Sequence, residues 1–527
     1  MKSFTLIFIN LGLSVLLSSN AFAQCQLFEN IKGYTPVAST EQLKKFEWLA
    51  FDQGKILASG SGATQAEFDS CKRINGQGRF VLPGLIDAHG HVAGLGNEML
   101  RVKLRGVQSE SQAVEKVKLF AKQNKASQWI LGRGWNQVLW LSKQFPNKKS
   151  LDNSGIQKPI VLRRIDGHAA WVNSKALQIA GINNSTPDPK GGKIERDAKG
   201  EATGLLIDNA ITLVESKIPE ASLMERESAM DKAFSHLLSL GIVSAHDAGI
   251  SQNDLDLYLD RNKNNALPLR IYAMLDGASP NLTRWLNAGV IKDSKEFLSV
   301  ASVKLYSDGA LGSRGAALLA PYSDDVDNKG LLVTQTKELN QLVQHILAKG
   351  FQANVHAIGD RGNRLVLDAY EKAFKTVGGK SLRNRIEHAQ VVSLDDIPRF
   401  KDLNIIASMQ PVHATSDKNM AGDRVGEKRL KGAYAWQKFI QQGTIIASGS
   451  DFPVELANAF HGLHAAVTRQ DQKNLPNGGW LAGERMSPAQ ALRSFTLDAA
   501  FAAHQEKTLG SLEKGKWADF ILVDQDI

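Results

Sequence analysis

Eight short apolar runs, most of them ending in polar or titratable residues, recur between residues 80 and 453. Longer stretches with helical periodicity separate them, and this alternation is typical of βα units around a parallel sheet. The runs are FVLPGLIDAHGH (80–91), GIVSAHDAG (241–249), LRIYAML (269–275), SVKLYSDG (302–309), FQANVHAIGD (351–360), RIEHAQ (385–390), NIIASMQ (404–410) and TIIASGSDFP (444–453). Eight units predict a (β/α)8 barrel, the TIM barrel, whose chemistry lies at the carboxyl ends of its strands.

The alternative is an open, doubly wound α/β sheet. Such sheets more often show a glycine-rich nucleotide-binding turn after the first strand. The glycine-rich stretch of this chain, GALGSRG (309–315), lacks the G-x-G-x-x-G spacing of that turn. We therefore favour the barrel and predict no nucleotide site.

The segments on either side of the barrel read as β structure. Residues 24–82 contain short strand-like runs, and GSLEKGKWADFILVD (510–524) is again strand-like. We expect the segments 24–82 and 505–527 to form one small β-sandwich domain and the barrel to span 83–504. A long insertion at about 92–240 separates the first two barrel strands, and insertions on this face usually shape substrate pockets.

The first 23 residues have the pattern of a secretory signal peptide. Lys2 is followed by the apolar run LIFINLGLSVLL (6–17) and by the small-residue cleavage site AFA (21–23). A membrane anchor is the alternative, but a span needs about 20 apolar residues. We expect cleavage after Ala23, a periplasmic or secreted protein and no membrane span after cleavage. An oxidising compartment would allow Cys25 and Cys71 to pair, and the sequence leaves that open.

The net charge of +9 comes from 63 basic and 54 acidic residues, which are scattered among one another. The sequence has no basic block and none of the usual nucleic-acid-binding motifs. We therefore expect a solvated basic surface and no nucleic-acid partner.

Titratable side chains collect at the ends of the predicted strands. His89 and His91 form an H-x-H pair at the end of the first run. Alternate residues of a strand point to the same side, so both histidines can hold one ion. Four imidazoles and a carboxylate suit Zn²⁺ or a similar first-row ion. The candidate ligands are His89, His91, Lys304, His356, His388 and Asp451.

A metal ion held in this way lowers the pKa of a bound water to roughly 7, from 15.7 in bulk water. Asp451 can take a proton from that water and hand it to a leaving amine. The implied reaction is hydrolysis of a carbon–nitrogen bond, as in an amide. Hydrolysis of an ester or lactone is an alternative, and a non-catalytic, metal-stabilised scaffold or regulator is another.

Six motifs together resemble the amidohydrolase superfamily, and most closely its YtcJ-like branch, often called amidohydrolase family 3. They are PGLIDAHGH, VKLYSDGALGSRGA, NVHAIGDRGN, RIEHAQ, SDFPVE and GSLEKGKWADFILVD. The branch includes N-substituted formamide deformylases, so the resemblance implies a hydrolase acting on carbon–nitrogen bonds other than peptide bonds. It also implies a small-molecule amide substrate and a homodimer.

The resemblance assigns roles to the candidate ligands. His89, His91 and Asp451 would bind the more buried metal, and His356 and His388 a second one. Lys304 would be a carboxylated lysine that bridges two metals, with a buried lysine paired to Asp308 or to substrate as the alternative. One or two ions therefore stay open, and Asp451 and His388 are the candidate catalytic residues.

Four further residues are candidate substrate contacts. Asp166 and His168 lie in the insertion, where a loop-stabilising role is the alternative; Arg314 would hold a substrate oxygen, and Trp135 would wall the pocket. His461 and His464 are read as helix residues without a ligand role. Family members usually continue for a few strands past ADFILVDQDI, so the small domain is either truncated or smaller here.

Overall fold

The strands of the computed structural model form three separate sheets. The structure describes residues 25–38, 40–125, 127–164, 169–189, 192–208, 210–312 and 314–526. The predicted signal peptide lies outside this part. The chain divides into one unit made of the residues up to Pro83 and from Lys507 onwards, and a second unit, Gly84–Glu506. Strands are numbered β1 to β21 and α-helices α1 to α17 along the described residues.

The first unit is a six-stranded sheet built from both ends of the chain. Its strands are β1 (Gln26–Val37), β2 (Thr40–Asp52), β3 (Lys55–Gly60), β4 (Lys72–Asn75), β5 (Phe80–Pro83) and β21 (Phe520–Val523). The order is β21-β5-β1-β2-β3, with β4 also paired to β1, and β21 runs antiparallel to β5. A disulfide joins Cys25 to Cys71.

Eight parallel strands of the second unit form a nearly closed barrel, which confirms the predicted fold. They are β6 (Leu85–Gly90), β13 (Ile242–Ile250), β14 (Arg270–Asp276), β16 (Leu298–Tyr306), β17 (Gln352–Ala357), β18 (Arg385–His388), β19 (Ile406–Met409) and β20 (Ile446–Ser448); β15 (Ile291–Lys292) adds antiparallel to β16. Every predicted run overlaps one of the eight strands. The first run is divided, since Phe80–Pro83 pairs within the small unit and only Leu85–Gly90 belongs to the barrel.

The barrel closes where the end of β6 meets the segment after β20. Asp451 donates its backbone N–H to the carbonyl of His89 (2.7 Å), and His91 donates to the carbonyl of Phe452 (2.8 Å). The two segments approach so closely that a Cβ on Gly90 would lie 2.3 Å from the Phe452 ring. Glycine is therefore required at this seam.

The insertion forms a sheet of its own within the second unit. Its strands are β7 (Val102–Lys103), β8 (Ile130–Trp135), β9 (Ile160–Arg164), β10 (Ala169–Val172), β11 (Gly192–Arg196) and β12 (Ala202–Asp208), in the order β11-β12-β10-β9-β8-β7. Two separate apolar clusters pack against this sheet, one around Trp135 and Trp171 and one around Val172 and Leu206. The insertion is thus a folded layer with its own cores.

The helices fill the connections. They are α1 (Val92–Met99), α2 (Glu110–Gln123), α3 (Lys148–Asp152), α4 (Ser174–Ala180), α5 (Ile211–Glu215), α6 (Leu223–Ser239), α7 (Gln252–Lys263), α8 (Leu282–Ala288), α9 (Thr336–Ala348), α10 (Asp360–Thr376), α11 (Ile397–Asp402), α12 (Pro411–Asp417), α13 (Ala421–Leu430), α14 (Trp436–Gln441), α15 (Ala459–Thr468), α16 (Pro488–Ser494) and α17 (Leu497–Ala502). Capping boxes start α6 at Ser222 and α7 at Ser251. In the described part of the chain, every helix is too short or too polar to cross a membrane.

Candidate metal centre

Four histidine rings follow one another at the carboxyl end of the barrel. Ring centroids lie 5.5 Å apart between His91 and His89, 4.9 Å between His89 and His388, and 4.6 Å between His388 and His356. They come from three different strands or strand ends, β6, β17 and β18. The structure therefore brings together all four imidazoles that the sequence singled out.

Two of the predicted site residues adopt a backbone conformation that residues other than glycine rarely take. The φ angle is 75° at His388 and 61° at Asp451, in the left-handed region. Each residue lies at or just after the end of a barrel strand. Such strained positions cluster at functional sites, where the surrounding structure holds them in place.

Hydrogen bonds behind the rings leave the other ring nitrogen available. His91 Nδ1 lies 2.8 Å from the carbonyl oxygen of Ala248, and His388 Nδ1 lies 2.7 Å from Oε1 of Gln410. Both acceptors lack a proton, so each Nδ1 donates and Nε2 is the nitrogen that is turned toward the cluster. This is the usual arrangement of a metal-ligating histidine.

Asp451 lies between two sets of imidazoles. Its Oδ1 is 3.1 Å from His91 Nε2, and its Oδ2 is 3.6 Å from His413 Nε2. Ligand atoms of His89, His91 and Asp451 all lie within 4.8 Å of one another, and the same holds for His388, His413 and Asp451. Burial raises the pKa of Asp451, but the His91 imidazole and the other neighbouring rings outweigh it and hold the pKa well below its usual range. The carboxylate is thus ionised and shared by two candidate ligand sets.

His413 is a candidate ligand that the sequence pattern did not indicate. This residue lies on α12, which begins directly after β19 and Gln410, so it occupies a strand-end position like the predicted ligands. That position was the available signal. PVHATSD nevertheless reads as an ordinary helical turn, and only the folded barrel places His413 beside Asp451.

The donor set fits a divalent metal ion. Nε2 of His356 and Nε2 of His413 are both buried and have no hydrogen-bond partner among the described residues. Burial lowers the pKa of His356 to about 3, and the nearby Lys304 adds to the effect. A neutral imidazole with an unpaired, buried nitrogen is the form that ligates zinc and similar ions.

Lys304 lies inside the same cluster. Its Nζ is 3.1 Å from His89 Nε2, and burial lowers the pKa of the amine. Among the described residues no ion pair joins this amine to a carboxylate, so the alternative of pairing with Asp308 does not hold. Asp308 instead accepts backbone N–H groups from Ala317 (2.8 Å) and Gly359 (2.8 Å).

The structure places the four predicted substrate contacts differently. Trp135 is fully buried in the core of the insertion and donates to the carbonyl of Leu162 (2.6 Å), so it does not wall a pocket. The Arg314 guanidinium is bound to the carboxylate of Asp324 (3.0 Å). Asp166 and His168 lie outside the described residues.

The sequence of the chain is similar to that of known hydrolases. The profile described as "Amidohydrolase family" matches residues 72–527. The chain is 36% identical to Protein LONG AFTER FAR-RED 3 of Arabidopsis thaliana, over 93% of this chain and 86% of the relative. It is 32% identical to YtcJ, a candidate amidohydrolase of Bacillus subtilis (92% and 92%), and 24% identical to the N-substituted formamide deformylase of Arthrobacter pascens (89% and 86%).

A solved structure extends the comparison to the fold and the metal. The crystal structure of an uncharacterized metal-dependent hydrolase from Pyrococcus furiosus superposes with a TM-score of 0.79 at 29% sequence identity, covering 95% of this chain and 99% of the other. The histidine and aspartate cluster described above occupies the face of the barrel where such enzymes carry their chemistry. The chain therefore belongs to the amidohydrolase family and is a metal-dependent hydrolase of the amidohydrolase superfamily.

Proposed function

We propose that this hydrolase cleaves the carbon–nitrogen bond of a small amide, of the formamide type, with Asp451 as the proton shuttle. The observation that carries the proposal is the position of Asp451, a carboxylate whose two oxygens face two different sets of imidazoles. Amines leave poorly unless they are protonated, so a carboxylate that can accept and return a proton suits amide hydrolysis.

His89, His91 and Asp451 would hold one metal ion, and His356, His388 and His413 supply donors for a second. Zn²⁺ is the ion that these nitrogen and oxygen donors suit best. When bound, the metal would polarise the substrate carbonyl and lower the pKa of a water molecule.

The chain's own residues complete the reaction. Asp451 accepts a proton from the attacking water, whose oxygen forms the new bond to the carbonyl carbon. Asp451 then donates that proton to the amine nitrogen as the carbon–nitrogen bond breaks. The products are a carboxylic acid, or formic acid from a formamide, and an amine.

Lys304 has the surroundings of a lysine that reacts with carbon dioxide. Its amine is buried, its pKa is lowered by burial, and it lies 3.1 Å from His89 Nε2. A neutral amine adds to CO₂ and releases a proton, and the resulting carbamate is anionic. Carboxylated in this way, Lys304 would supply anionic oxygen donors beside the histidines, and we expect the loaded protein to hold two metal ions.

The name of the Arthrobacter relative supports the choice of substrate class, because that protein acts on N-substituted formamides by name.

We also propose that the chain is exported. The disulfide between Cys25 and Cys71 supports export, since such bonds persist in oxidising compartments.

The test starts from the protein beginning at residue 24, purified without chelator. Metal content is measured first, and two zinc ions per chain are expected. A panel of N-alkyl and N-aryl formamides and acetamides is then screened for released amine, beside p-nitrophenyl acetate as an activated ester. Asp451→Asn should lose amine release and keep part of the ester turnover.

Three results would count against the proposal. A chain that takes up no zinc would exclude the metal centre. Wild-type protein that hydrolyses esters but releases no amine would favour an esterase. Amine release by Asp451→Asn at the wild-type rate would remove Asp451 from the role of proton shuttle.

A further inference from the structure

Glu387 and His89 lie on different barrel strands, and their side chains meet inside the barrel. Glu387 Oε2 is 2.5 Å from His89 Nδ1, and both side chains are fully buried. A carboxylate accepts at this distance, so Nδ1 carries the proton. The other nitrogen, Nε2, faces the cluster, 3.1 Å from Lys304 Nζ and 3.7 Å from Asp451 Oδ1.

Glu387 and His388 are neighbours on β18, yet both side chains reach His89. Successive residues of a regular strand point to opposite sides. The φ angle of 75° at His388 breaks that rule, and its ring centroid lies 4.9 Å from that of His89. The strained residue therefore lets one strand supply a candidate ligand and the support for another.

His89 differs from His91 and His388 in the group that accepts the hydrogen bond from Nδ1. His91 faces a backbone carbonyl and His388 faces an amide oxygen, both neutral acceptors. Among the described residues, His89 is the candidate ligand whose Nδ1 faces a carboxylate. A carboxylate behind a metal-ligating histidine fixes its orientation and raises its basicity.

We propose that Glu387 is a positioning residue that makes His89 the strongest imidazole ligand of the centre. It holds the proton on Nδ1 and directs Nε2 inward. The first metal ion consequently binds on the side formed by His89, His91 and Asp451, ahead of the side that includes His388 and His413. This inference rests on the proposed metal centre and adds an order of binding to it.

The substitution Glu387→Gln removes the negative charge of the side chain and nearly keeps its shape. Gln keeps an oxygen that can accept from His89 Nδ1, and Glu387 Oε1, where the amide nitrogen would lie, has no hydrogen-bond partner among the described residues. The matched control is Glu484→Gln. Glu484 is also buried and accepts the backbone N–H of Gln437 (2.9 Å), away from the cluster.

The experiment titrates metal-free wild type and both variants with Zn²⁺ in competition with a chelator of known affinity. We expect the Kd of the tightest zinc to weaken about 10- to 100-fold in Glu387→Gln and to stay at the wild-type value in Glu484→Gln. The absorption bands of the first bound Co²⁺ should also change in Glu387→Gln alone.

An unchanged tight Kd in folded Glu387→Gln would overturn the inference, and so would equal weakening in both variants. If Glu387→Gln does not fold, the tautomer of His89 in wild-type protein is read by ¹⁵N NMR of labelled histidine. A proton on Nε2 would then overturn the inference, and a proton on Nδ1 would support it. Wild type that binds no zinc would instead overturn the proposed function and this inference with it.

Discussion

Ser450 donates two hydrogen bonds to the carboxylate of Asp87, one from its backbone N–H (3.0 Å) and one from its hydroxyl (2.6 Å). Asp87 also accepts the backbone N–H of His89 at 3.2 Å. One buried carboxylate therefore orders the segment that carries His89 and the segment that leads into Asp451.

Asp87→Ala should destabilise the barrel. The substitution leaves three buried donors without an acceptor, and an unsatisfied buried donor costs about 1–3 kcal/mol. We expect the free energy of unfolding of the metal-free protein to fall by about 3 kcal/mol or more, measured by urea denaturation. Asp256→Ala, at an exposed position of α7, is the control. Equal unfolding midpoints for Asp87→Ala and wild type would contradict the role of Asp87.

His89→Ala should remove both metal and activity. The substitution deletes the ring that joins the H-x-H pair to the rest of the cluster, so zinc content and turnover should fall to background. His461→Ala is the control, because His461 lies on α15 and contacts Gln472 (3.0 Å) rather than the cluster. Wild-type zinc content in His89→Ala, or zinc loss in His461→Ala, would show that the ligands are assigned wrongly.

His413→Ala tests the residue that sequence reasoning missed. Its buried Nε2 has no hydrogen-bond partner in the described part of the chain and lies 3.6 Å from Asp451 Oδ2, so its removal should cost at least about tenfold in turnover or in affinity for the second zinc. Thr415→Ala on the same helix is the control, since among the described residues that hydroxyl donates to the carbonyl of Val412 (2.9 Å) and contacts no member of the cluster. Equal kinetics and zinc binding in the two variants would assign His413 to packing.

Reduction of the disulfide should weaken the small unit. Cys25 and Cys71 are 46 residues apart, and the chain-entropy model gives about 4 kcal/mol for a loop of that length. We expect a lower urea midpoint for the first unit in Cys71→Ala, with zinc content unchanged because the cluster lies in the other unit. The midpoint is followed by hydrogen exchange of the backbone amides of β1 and β2, which belong to the first unit. A reductant that leaves this midpoint unmoved would indicate that the bond adds no stability.

The barrel was predictable because its strands are buried on both faces. Such strands read as near-continuous apolar runs, and the titratable residues that follow them mark the catalytic face. LSVASVKLY of β16 is an example, with Lys304 near its carboxyl end. The alternation of residues then predicts which side chains share a face.

The same rules failed where tertiary packing decides. Glu387 precedes a predicted ligand, and strand alternation turns it away from the site; the left-handed φ at His388 reverses that conclusion. Trp135 ends an apolar run, as the candidate ligands do in the barrel. Its strand, however, belongs to a separate sheet with its own core. Neither the strain nor the second sheet leaves a local signal in the sequence.

The seam of the barrel has a consequence for synthesis. Asp87 and Ser450 meet although they are 363 positions apart in the chain, and His89, His91 and Asp451 lie on the same seam. A growing chain therefore carries its first histidine pair long before the carboxylate that completes the set is made. The proposed donor set would be complete only after the last βα unit has docked, so we expect metal uptake to report the completion of folding and incomplete chains to be metal-poor.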